Sequence, residues 1–346
     1  MARFTDPNGK RRVKRFKNRT EAAKWLLDAQ DASLDGFSDD MTLSEWFELW
    51  FASKKLHIKP KTKDAYYHQF HRLPKRLRTT RLCHLKPLMI QSIFDELSTK
   101  YTKSTLKNTR MLLSTVLNDA VLNDIITKNP CRKVTVTGKE SSSREALSRE
   151  DQAALVHALW QSPIEYAALF VLQTGVRFGE LIGLTWDDID FDNATLTVSR
   201  NIVYVDHSFI IQSPKTATSR RTIPLTIEAM RLLKAQKELN KSTSIVRMEW
   251  ADQVFIDDKG QPFRNSRFDL LLKRAAGMAD ITAAISCHIL RHTFATRCIE
   301  GGMIPKTLQS ILGHSSIMTT MDLYVSSDDS FKKIAMDSIA DTLNVV

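Results

Sequence analysis

Residues 288–296 read HILRHTFAT, a stretch with three basic or imidazole side chains whose role depends on the rest of the sequence. His288 and Arg291 are three positions apart, so on a helix both side chains lie on the same face. His292 follows directly, four positions from His288. The stretch lacks the glutamate that a zinc-binding H-E-x-x-H pattern would carry at Ile289. Taken alone, it fits an ordinary exposed helix turn as well as a cleft lined by cationic groups.

The composition favours a polyanionic partner. The 346 residues include 50 Lys and Arg against 39 Asp and Glu, which gives a formal net charge of +11. Such an excess is typical of proteins that bind nucleic acid or an acidic membrane surface, and charge alone does not choose between them. No apolar run is long enough to cross a bilayer, and the basic N-terminus lacks the apolar core of a secretion signal. We therefore expect a cytoplasmic protein with no membrane partner.

Neither a metal site nor a disulfide framework is indicated. The four cysteines are widely scattered and form no C-x-x-C pair, so they are interpreted as reduced packing thiols. The acidic residues form no cluster at spacings suited to a two-metal nuclease. The sequence therefore predicts no metal and no cofactor.

Turn-prone and polar segments divide the chain into three predicted parts, 1–36, 40–131 and 144–346. The first contains the turn DPNG, a dense basic run and a helix that Thr20 can cap, which predicts a small hairpin followed by a helix. The basic run fits a strand that tracks DNA phosphates or a solvated surface strand equally well. Its candidate DNA-binding residues are Lys10, Arg11, Arg12, Lys14 and Arg15.

The second part is predicted to be a four-helix unit. Leu43, Trp46, Phe47 and Trp50 form an apolar stripe at helical spacing, which is too wide to leave in water. Lysines at exposed positions of this unit, among them Lys61 and Lys63, are candidate DNA contacts. Three further helices are predicted, over 61–73, 87–98 and 103–126, the last of them followed by the helix-breaking pair Asn129-Pro130.

The third part changes to a mixed pattern of helices and strands. Ser148 is a helix cap, and an apolar helix is predicted to end at Gly175. Overall this predicts a multidomain, mainly α protein whose last domain is α+β. Beyond the helix over 149–160, the predicted elements are a helix over 177–190 and strands within 194–205, 209–225 and 253–258.

Cationic side chains recur through this third part, and a tyrosine follows them. Attack of a tyrosine hydroxyl on a phosphodiester builds negative charge on the non-bridging oxygens, and two guanidinium groups can clamp those oxygens bidentately. A lysine on a hairpin can protonate the leaving oxygen. A lone tyrosine would more often be a half-buried core residue, so the pattern depends on the whole set: Arg177, Lys215, His288, Arg291, His314 and Tyr324.

The motifs TGVRFGEL, HILRHTFAT and LGHSSIMTTMDLY, with the hairpin lysine between the first two, closely resemble those of the tyrosine recombinases, the phage integrase family. The resemblance covers 144–330 in the same order and with similar separations. The four-helix unit resembles that family's SAM-like core-binding domain. The N-terminal segment is similar to the arm-binding module of mobile-element integrases, which typically has three strands where this chain has room for two.

This resemblance implies the roles of the site residues. Tyr324 would be the nucleophile, Arg177 and Arg291 the phosphate clamp, and Lys215 the general acid. His288 would assist proton transfer, and His314 would donate a hydrogen bond. Glu180 and His292 would contact the catalytic residues without touching the phosphate. Arg220, beside the hairpin lysine, is a further DNA-binding candidate, as is its neighbour Arg221.

The implied function is site-specific recombination of DNA through a 3′-phosphotyrosyl intermediate and a Holliday junction. It would integrate or excise a mobile element of a phage or conjugative transposon, as a homo-tetramer on two duplexes, with core sites and arm sites as DNA partners. A host DNA-bending protein and an excision factor are possible further partners. The alternatives are a type IB topoisomerase-like enzyme and a non-catalytic DNA-binding regulator.

An apolar stripe over 331–343 predicts a final helix that packs on its own domain or on a neighbouring protomer.

Overall fold

The computed structural model describes residues 2–5, 11–15, 21, 40–140, 145–212, 220–242, 247–318 and 320–321. The chain forms two compact units, Met1–Ser142 and Ser143–Val346. This division falls beside the predicted start of the third part at 144, whereas the separation of 1–36 from 40–131 stays a prediction. Within the described segments, none of the helices combines the length and the apolar character needed to cross a lipid bilayer.

A short hairpin begins the first unit. Strand β1, Ala2–Thr5, pairs antiparallel with strand β2, Arg11–Lys14, and Ala2 lies opposite Lys14. The predicted strand pair is therefore present. Lys14 and Arg15 are exposed, as a strand that tracks phosphates requires. The helix predicted after Thr20 lies outside the described residues except for Glu21.

Helices make up the rest of this unit. The stripe predicted for the first of them is buried as expected, and Thr42 caps that helix in a reciprocal arrangement with Glu45. The indole of Trp46 donates to the carbonyl of Val116 at 2.9 Å, which ties the first helix to the last. The helices are α1 Leu43–Lys54, α2 Pro60–Arg72, α3 Lys75–Arg78, α4 Pro87–Ser98 and α5 Lys103–Leu122.

Helix α5 ends at Leu122, so the prediction that it continues to 126 was wrong. Asp124 adopts a left-handed conformation with φ of 54°. Its N–H bonds to the carbonyl of Val121, and the N–H of Ile125 reaches back to Ala120. This is a Schellman ending, which glycine usually supplies. Because an aspartate occupies the left-handed position, no glycine marks the end of this helix in the sequence.

The described residues of the second unit form helices and two small sheets. Strands β3, β4 and β7 form an antiparallel three-stranded sheet, and β5 and β6 form a separate hairpin. The strands are β3 Ile189–Asp190, β4 Thr195–Val198, β5 Asn201–Val205, β6 Ser208–Gln212 and β7 Arg221–Pro224. The helices are α6 Arg149–Ala158, α7 Glu165–Thr174, α8 Phe178–Leu181, α9 Ile227–Ser242, α10 Asn265–Met278, α11 Cys287–Glu300 and α12 Pro305–Leu312.

Helix α7 lies at the centre of this unit and packs against α9 and α11. Its residues Ala168, Phe170 and Val171 are fully buried, which explains the almost uninterrupted apolar sequence. The helix ends as predicted at Gly175, whose φ is 63°. That ending brings the chain to the residues of the site.

Two predictions for the second unit were wrong. The helix expected over 177–190 is only α8, because the backbone then turns aside: the N–H of Thr185 bonds to the carboxylate of Asp188, and Leu184 accepts from Val254. The strand expected over 253–258 makes only isolated bridges. There the carboxylate of Asp257 accepts the N–H groups of residues 259 and 261, and this folds the chain into a turn.

Candidate active site

A cavity of about 440 Å³ in the second unit brings together four of the predicted catalytic residues, Arg177, His288, Arg291 and His314. These residues come from three distant parts of the sequence: the residue before α8, helix α11 with both His288 and Arg291, and the segment after α12. The order and the separations of the motifs had indicated that these residues belong to one site. Three polar side chains that the sequence did not single out, Asn265, Asp269 and Ser286, also line the cavity.

Arg177 is the residue that precedes helix α8, and its guanidinium is anchored on both sides. Nη1 donates to the Oε1 atom of Glu180 at 2.7 Å, and Nη2 donates to the carbonyl of Gly313 at 2.7 Å. The backbone N–H of Arg177 donates to the other carboxylate oxygen at 2.9 Å. Its side chain is 39% exposed, so remaining N–H groups can reach a ligand.

Arg291 is held from within the core. It lies on α11 and is only 4% exposed. Nη1 donates to the carbonyl of Gly175 at 2.6 Å, and Nη2 to that of Leu312 at 2.8 Å. Burial, followed by the charge of Arg177, lowers its pKa to about 9. At neutral pH the guanidinium is therefore still charged.

Glu180 is the buried carboxylate that balances these cations. Burial alone would raise its pKa, but the hydrogen bonds and charge of Arg221, with the charge of Arg177, outweigh burial and lower the pKa to about 2. Arg221 donates Nη1 and Nη2 to the two Glu180 oxygens at 3.1 and 2.8 Å. Glu180 is thus ionised, is not among the cavity-lining residues and holds Arg177; its role in catalysis stays a prediction.

Arg221 is buried, which the sequence analysis did not predict. Its grouping with Arg220 as a phosphate contact was wrong, since Arg221 is buried and ion-paired whereas Arg220 is exposed. Strand β7 alternates buried and exposed positions, which places Arg221 on the inward face with Ile223. The alternation of RTIP was therefore the available signal.

His314 is a neutral imidazole at the edge of the cavity. Its Nδ1 lies 2.9 Å from the hydroxyl of Thr320. Burial, followed by the charges of Arg291 and Arg177, lowers its pKa to about 4. In the tautomer in which Thr320 donates to Nδ1, Nε2 carries the proton and can donate a hydrogen bond to an anion.

The pKa of His314 predicts a pH dependence of folding stability. Its folded value of about 4 lies below the ordinary value of 6.5, so as pH falls from 6.5 to 4 the unfolded chain takes up a proton that the folded chain refuses. Stability decreases over this window by at most about 1.4 kcal/mol per pH unit. We expect His314→Gln to reduce that slope in urea unfolding at pH 7, 6 and 5. The exposed His207, changed to Gln, is the control; an equal reduction there would contradict the prediction.

The two histidines of α11 are placed differently. His288 is exposed in the first turn and lines the cavity. His292 lies one turn further, is half-buried, and is not among the cavity-lining residues. Its Nδ1 has no hydrogen-bond partner within the described segments, and burial lowers its pKa. A supporting role for His292 stays a prediction.

Several predicted residues fall elsewhere or outside the description. Lys215, Tyr324, Lys10 and the helix predicted over 331–343 lie outside the described residues, and their roles stay predictions. Lys61 is exposed and Lys63 half-buried in the first turn of α2. Arg11 and Arg12 lie in β2.

Gly175 provides a sharp test of how tightly the site is packed. A Cβ here would lie 2.3 Å from the Cδ1 of Phe294, and the backbone is left-handed. We expect Gly175→Ala to lower the free energy of unfolding by roughly 2–5 kcal/mol, the sum of strain and overpacking. Gly302 is the matched control, since its φ is +78° but a Cβ would meet nothing within 4 Å. Equal losses in chemical denaturation would refute the packing argument.

Comparison with known proteins agrees with this fold. The Phage integrase family profile matches residues 145–330, and that of the phage integrase N-terminal SAM-like domain matches residues 42–98. A tyrosine recombinase XerC-like protein of Caldanaerobacter subterraneus subsp. tengcongensis is 29% identical, over 97% of this chain and 93% of its own. The transposase of transposon Tn916 from Enterococcus faecalis is 28% identical, over 65% of this chain and 58% of its own.

Solved structures share the fold. The Tn1549 transposon integrase in complex with transposon right end DNA superposes with a TM-score of 0.76 at 23% identity, over 87% of this chain and 100% of that one. A lambda integrase tetramer bound to a Holliday junction gives 0.66 at 20% identity, over 93% and 91%. The predicted fold class, mainly helical with a mixed α/β catalytic part, is confirmed.

The fold and the match to the family profile define an enzyme that cleaves and rejoins DNA strands. The chain belongs to the phage integrase family, the tyrosine recombinases. The function predicted from the sequence, site-specific DNA recombination, is confirmed at the level of that family.

Proposed function

We propose that this protein integrates or excises a mobile element by cutting and rejoining DNA at the cavity that Arg177, His288, Arg291 and His314 line. The proposal rests on the observation that these four side chains line one cavity of about 440 Å³. Two of them are guanidinium groups anchored on backbone carbonyls, so their orientation is set before a ligand arrives. Preorganised charge of this kind stabilises a transition state more than it stabilises the ground state.

In the proposed reaction, the hydroxyl of Tyr324 attacks the scissile phosphorus. The bond from phosphorus to the 5′ oxygen breaks, a 3′-phosphotyrosyl bond forms, and Lys215 gives its proton to the departing oxygen. His288 assists the transfer of the tyrosine proton, and neutral His314 donates a hydrogen bond to a non-bridging oxygen. Arg177 and Arg291 stabilise the additional negative charge on the pentacoordinate phosphorus.

Resealing reverses these bonds. The 5′ hydroxyl of a partner duplex attacks the phosphotyrosyl phosphorus and releases the tyrosine, so no external energy source is needed. Two such exchanges pass through a Holliday junction. We propose a homo-tetramer on two duplexes, supported by the solved lambda integrase tetramer, with a host bending protein and an excision factor as accessory partners and the cytoplasm as the place of action.

The proposed DNA contacts outside the cavity are cationic. In the first unit Lys61 and Lys63 begin helix α2, and Lys14 and Arg15 are exposed in and after the β2 strand. With Arg220, and with Lys10, Arg11 and Arg12 near the hairpin turn, they would neutralise phosphates at core and arm sites. Such contacts position a duplex but do not read its sequence.

The test is to trap the covalent intermediate. Nicked duplexes from the DNA flanking the gene lose a short product after cleavage, which prevents resealing. We expect a protein–DNA adduct on a denaturing gel, formed in EDTA and attached to the 3′ side of the break. Mass spectrometry of the digested adduct should place the nucleotide on the peptide that contains Tyr324.

Other outcomes separate the alternatives. An adduct that only religates its own strand, with no transfer to a partner duplex, would indicate the topoisomerase-like enzyme. Tight, salt-sensitive binding without an adduct on any flanking duplex would indicate the non-catalytic regulator. Either result would contradict the proposal.

A further inference from the structure

Three arginines converge on the C-terminal end of helix α12. The last carbonyls of a helix have no partner within it, and this end carries a partial negative charge. Here the chain passes through Gly313, whose φ is 64°, and continues to His314 at the cavity. Each of three successive carbonyls accepts from a different arginine: Ile311 from Arg221 Nε at 2.6 Å, Leu312 from Arg291 Nη2 at 2.8 Å, and Gly313 from Arg177 Nη2 at 2.7 Å.

Arg221 differs from the other two because it is not among the cavity-lining residues. Its side chain is 5% exposed and faces Glu180, which is 6% exposed. Its terminal nitrogens donate to both carboxylate oxygens, and the same oxygens accept from the side chain and the backbone N–H of Arg177. One guanidinium thus fixes the carboxylate that orients the clamp residue Arg177.

Arg221 also contacts the segment that carries His314. A Cβ on Gly313 would lie 2.9 Å from Arg221 Nη1, so the chain passes directly over the guanidinium. Through its three donors, Arg221 connects strand β7, the carboxylate behind Arg177, and the end of α12. A lysine could preserve the charge here but not this planar fork of donors.

The charges of the cluster fit the proposed reaction. Arg177, Arg221 and Arg291 supply three positive charges, and ionised Glu180 supplies one negative charge. Glu180 pairs with both Arg177 and Arg221, so these three guanidinium groups and one carboxylate leave an excess of positive charge for the phosphate.

We propose that Arg221 is a positioning residue for DNA cleavage: through Glu180 and the carbonyl of Ile311 it fixes Arg177 and the His314 segment relative to each other. This inference rests on the proposed function. Since Arg221 lies behind the cavity, losing it should slow the chemical step while DNA affinity is kept. A purely structural ion pair would affect folding and leave the rate of the folded enzyme unchanged.

The experiment measures single-turnover cleavage of the nicked duplex at saturating DNA, together with DNA affinity and thermal unfolding, in the full chain. We expect Arg221→Lys to cleave at least about tenfold more slowly, with DNA affinity close to that of wild type. Arg231→Met is the control, because it removes an arginine from an exposed ion pair with Glu228 on α9 and should match wild type in all three measurements.

A double variant, Glu180→Gln with Arg221→Met, keeps the test decisive if single variants unfold. It removes both members of the buried ion pair together, so neither Glu180 nor Arg221 is left behind as an unpaired charge. We expect it to fold and still cleave slowly. Arg221→Lys or the double variant cleaving at the wild-type rate would overturn the inference. Absence of an adduct from wild type itself would instead overturn the proposed function.

Discussion

Tyr324→Phe is expected to abolish covalent cleavage of DNA, with a loss of about 10⁴-fold or more in the single-turnover rate. The change removes one oxygen, the atom that would bond to phosphorus, and leaves an aromatic ring of nearly the same size. Since the phosphate clamp is untouched, DNA affinity in a gel-shift titration should stay near the wild-type value. The measurement is adduct formation on the nicked duplex beside that titration.

Tyr204→Phe is the matched control for this prediction. Tyr204 lies on β5 in the same unit, and its hydroxyl has no hydrogen-bond partner in the described part of the chain. Removing that hydroxyl should leave cleavage unchanged. Adduct formation by Tyr324→Phe at the wild-type rate would show that Tyr324 is not the nucleophile and that another residue is.

Arg291→Ala is expected to reduce cleavage by at least roughly 10²–10³-fold, the usual loss when one preorganised donor to a transition state is removed. Because its guanidinium also serves the carbonyls of Gly175 and Leu312, stability should fall by about 1–3 kcal/mol for each carbonyl left unpaired. Arg291→Lys should recover part of the stability and little of the rate, since lysine cannot form two parallel bonds to a phosphate. Single-turnover rates and urea unfolding measure the two effects.

Arg297→Ala separates chemistry from stability. Arg297 lies on the same helix and donates to the carbonyl of Leu147, to Gln152 and to Glu300, but it is not among the cavity-lining residues. Its loss should destabilise the protein comparably while the folded enzyme cleaves normally. If Arg291→Ala and Arg297→Ala slowed cleavage equally, the loss at Arg291 would be a consequence of unfolding, and its role as a clamp would be contradicted.

Local signals predicted the elements that depend on local physics. The stripe of Leu43, Trp46, Phe47 and Trp50 gave α1, and Gly175 gave the end of α7, because each reflects a period or a backbone preference present in the sequence. The predictions failed where an aspartate ended an element or turned the chain. Asp124 ended α5 without a glycine, and Asp257 turned the chain where β-branched and aromatic residues had indicated a strand.

The residues of the site were predictable from the sequence, but their hydrogen-bond partners were not. Arg177, His288, Arg291 and His314 were predicted from motifs that resemble those of the tyrosine recombinases, and all four line one cavity. Their chemistry could be anticipated, but not the partners that hold them. The carbonyls of Gly175, Leu312 and Gly313 carry no sequence signature, because every residue has one.

By itself, the sequence determined the family, through ordered motifs that resemble those of the tyrosine recombinases, and the mixed architecture, through the spacing of its apolar residues. The same motifs contain the cationic residues that line the cavity. Only the tertiary structure decided that Arg221, next to exposed Arg220, is buried on Glu180 and on the end of α12. Two adjacent residues of a strand face opposite sides. Which side is the interior depends on what packs there, and for Arg221 that is a carboxylate from α8 and a helix end more than eighty residues away in sequence.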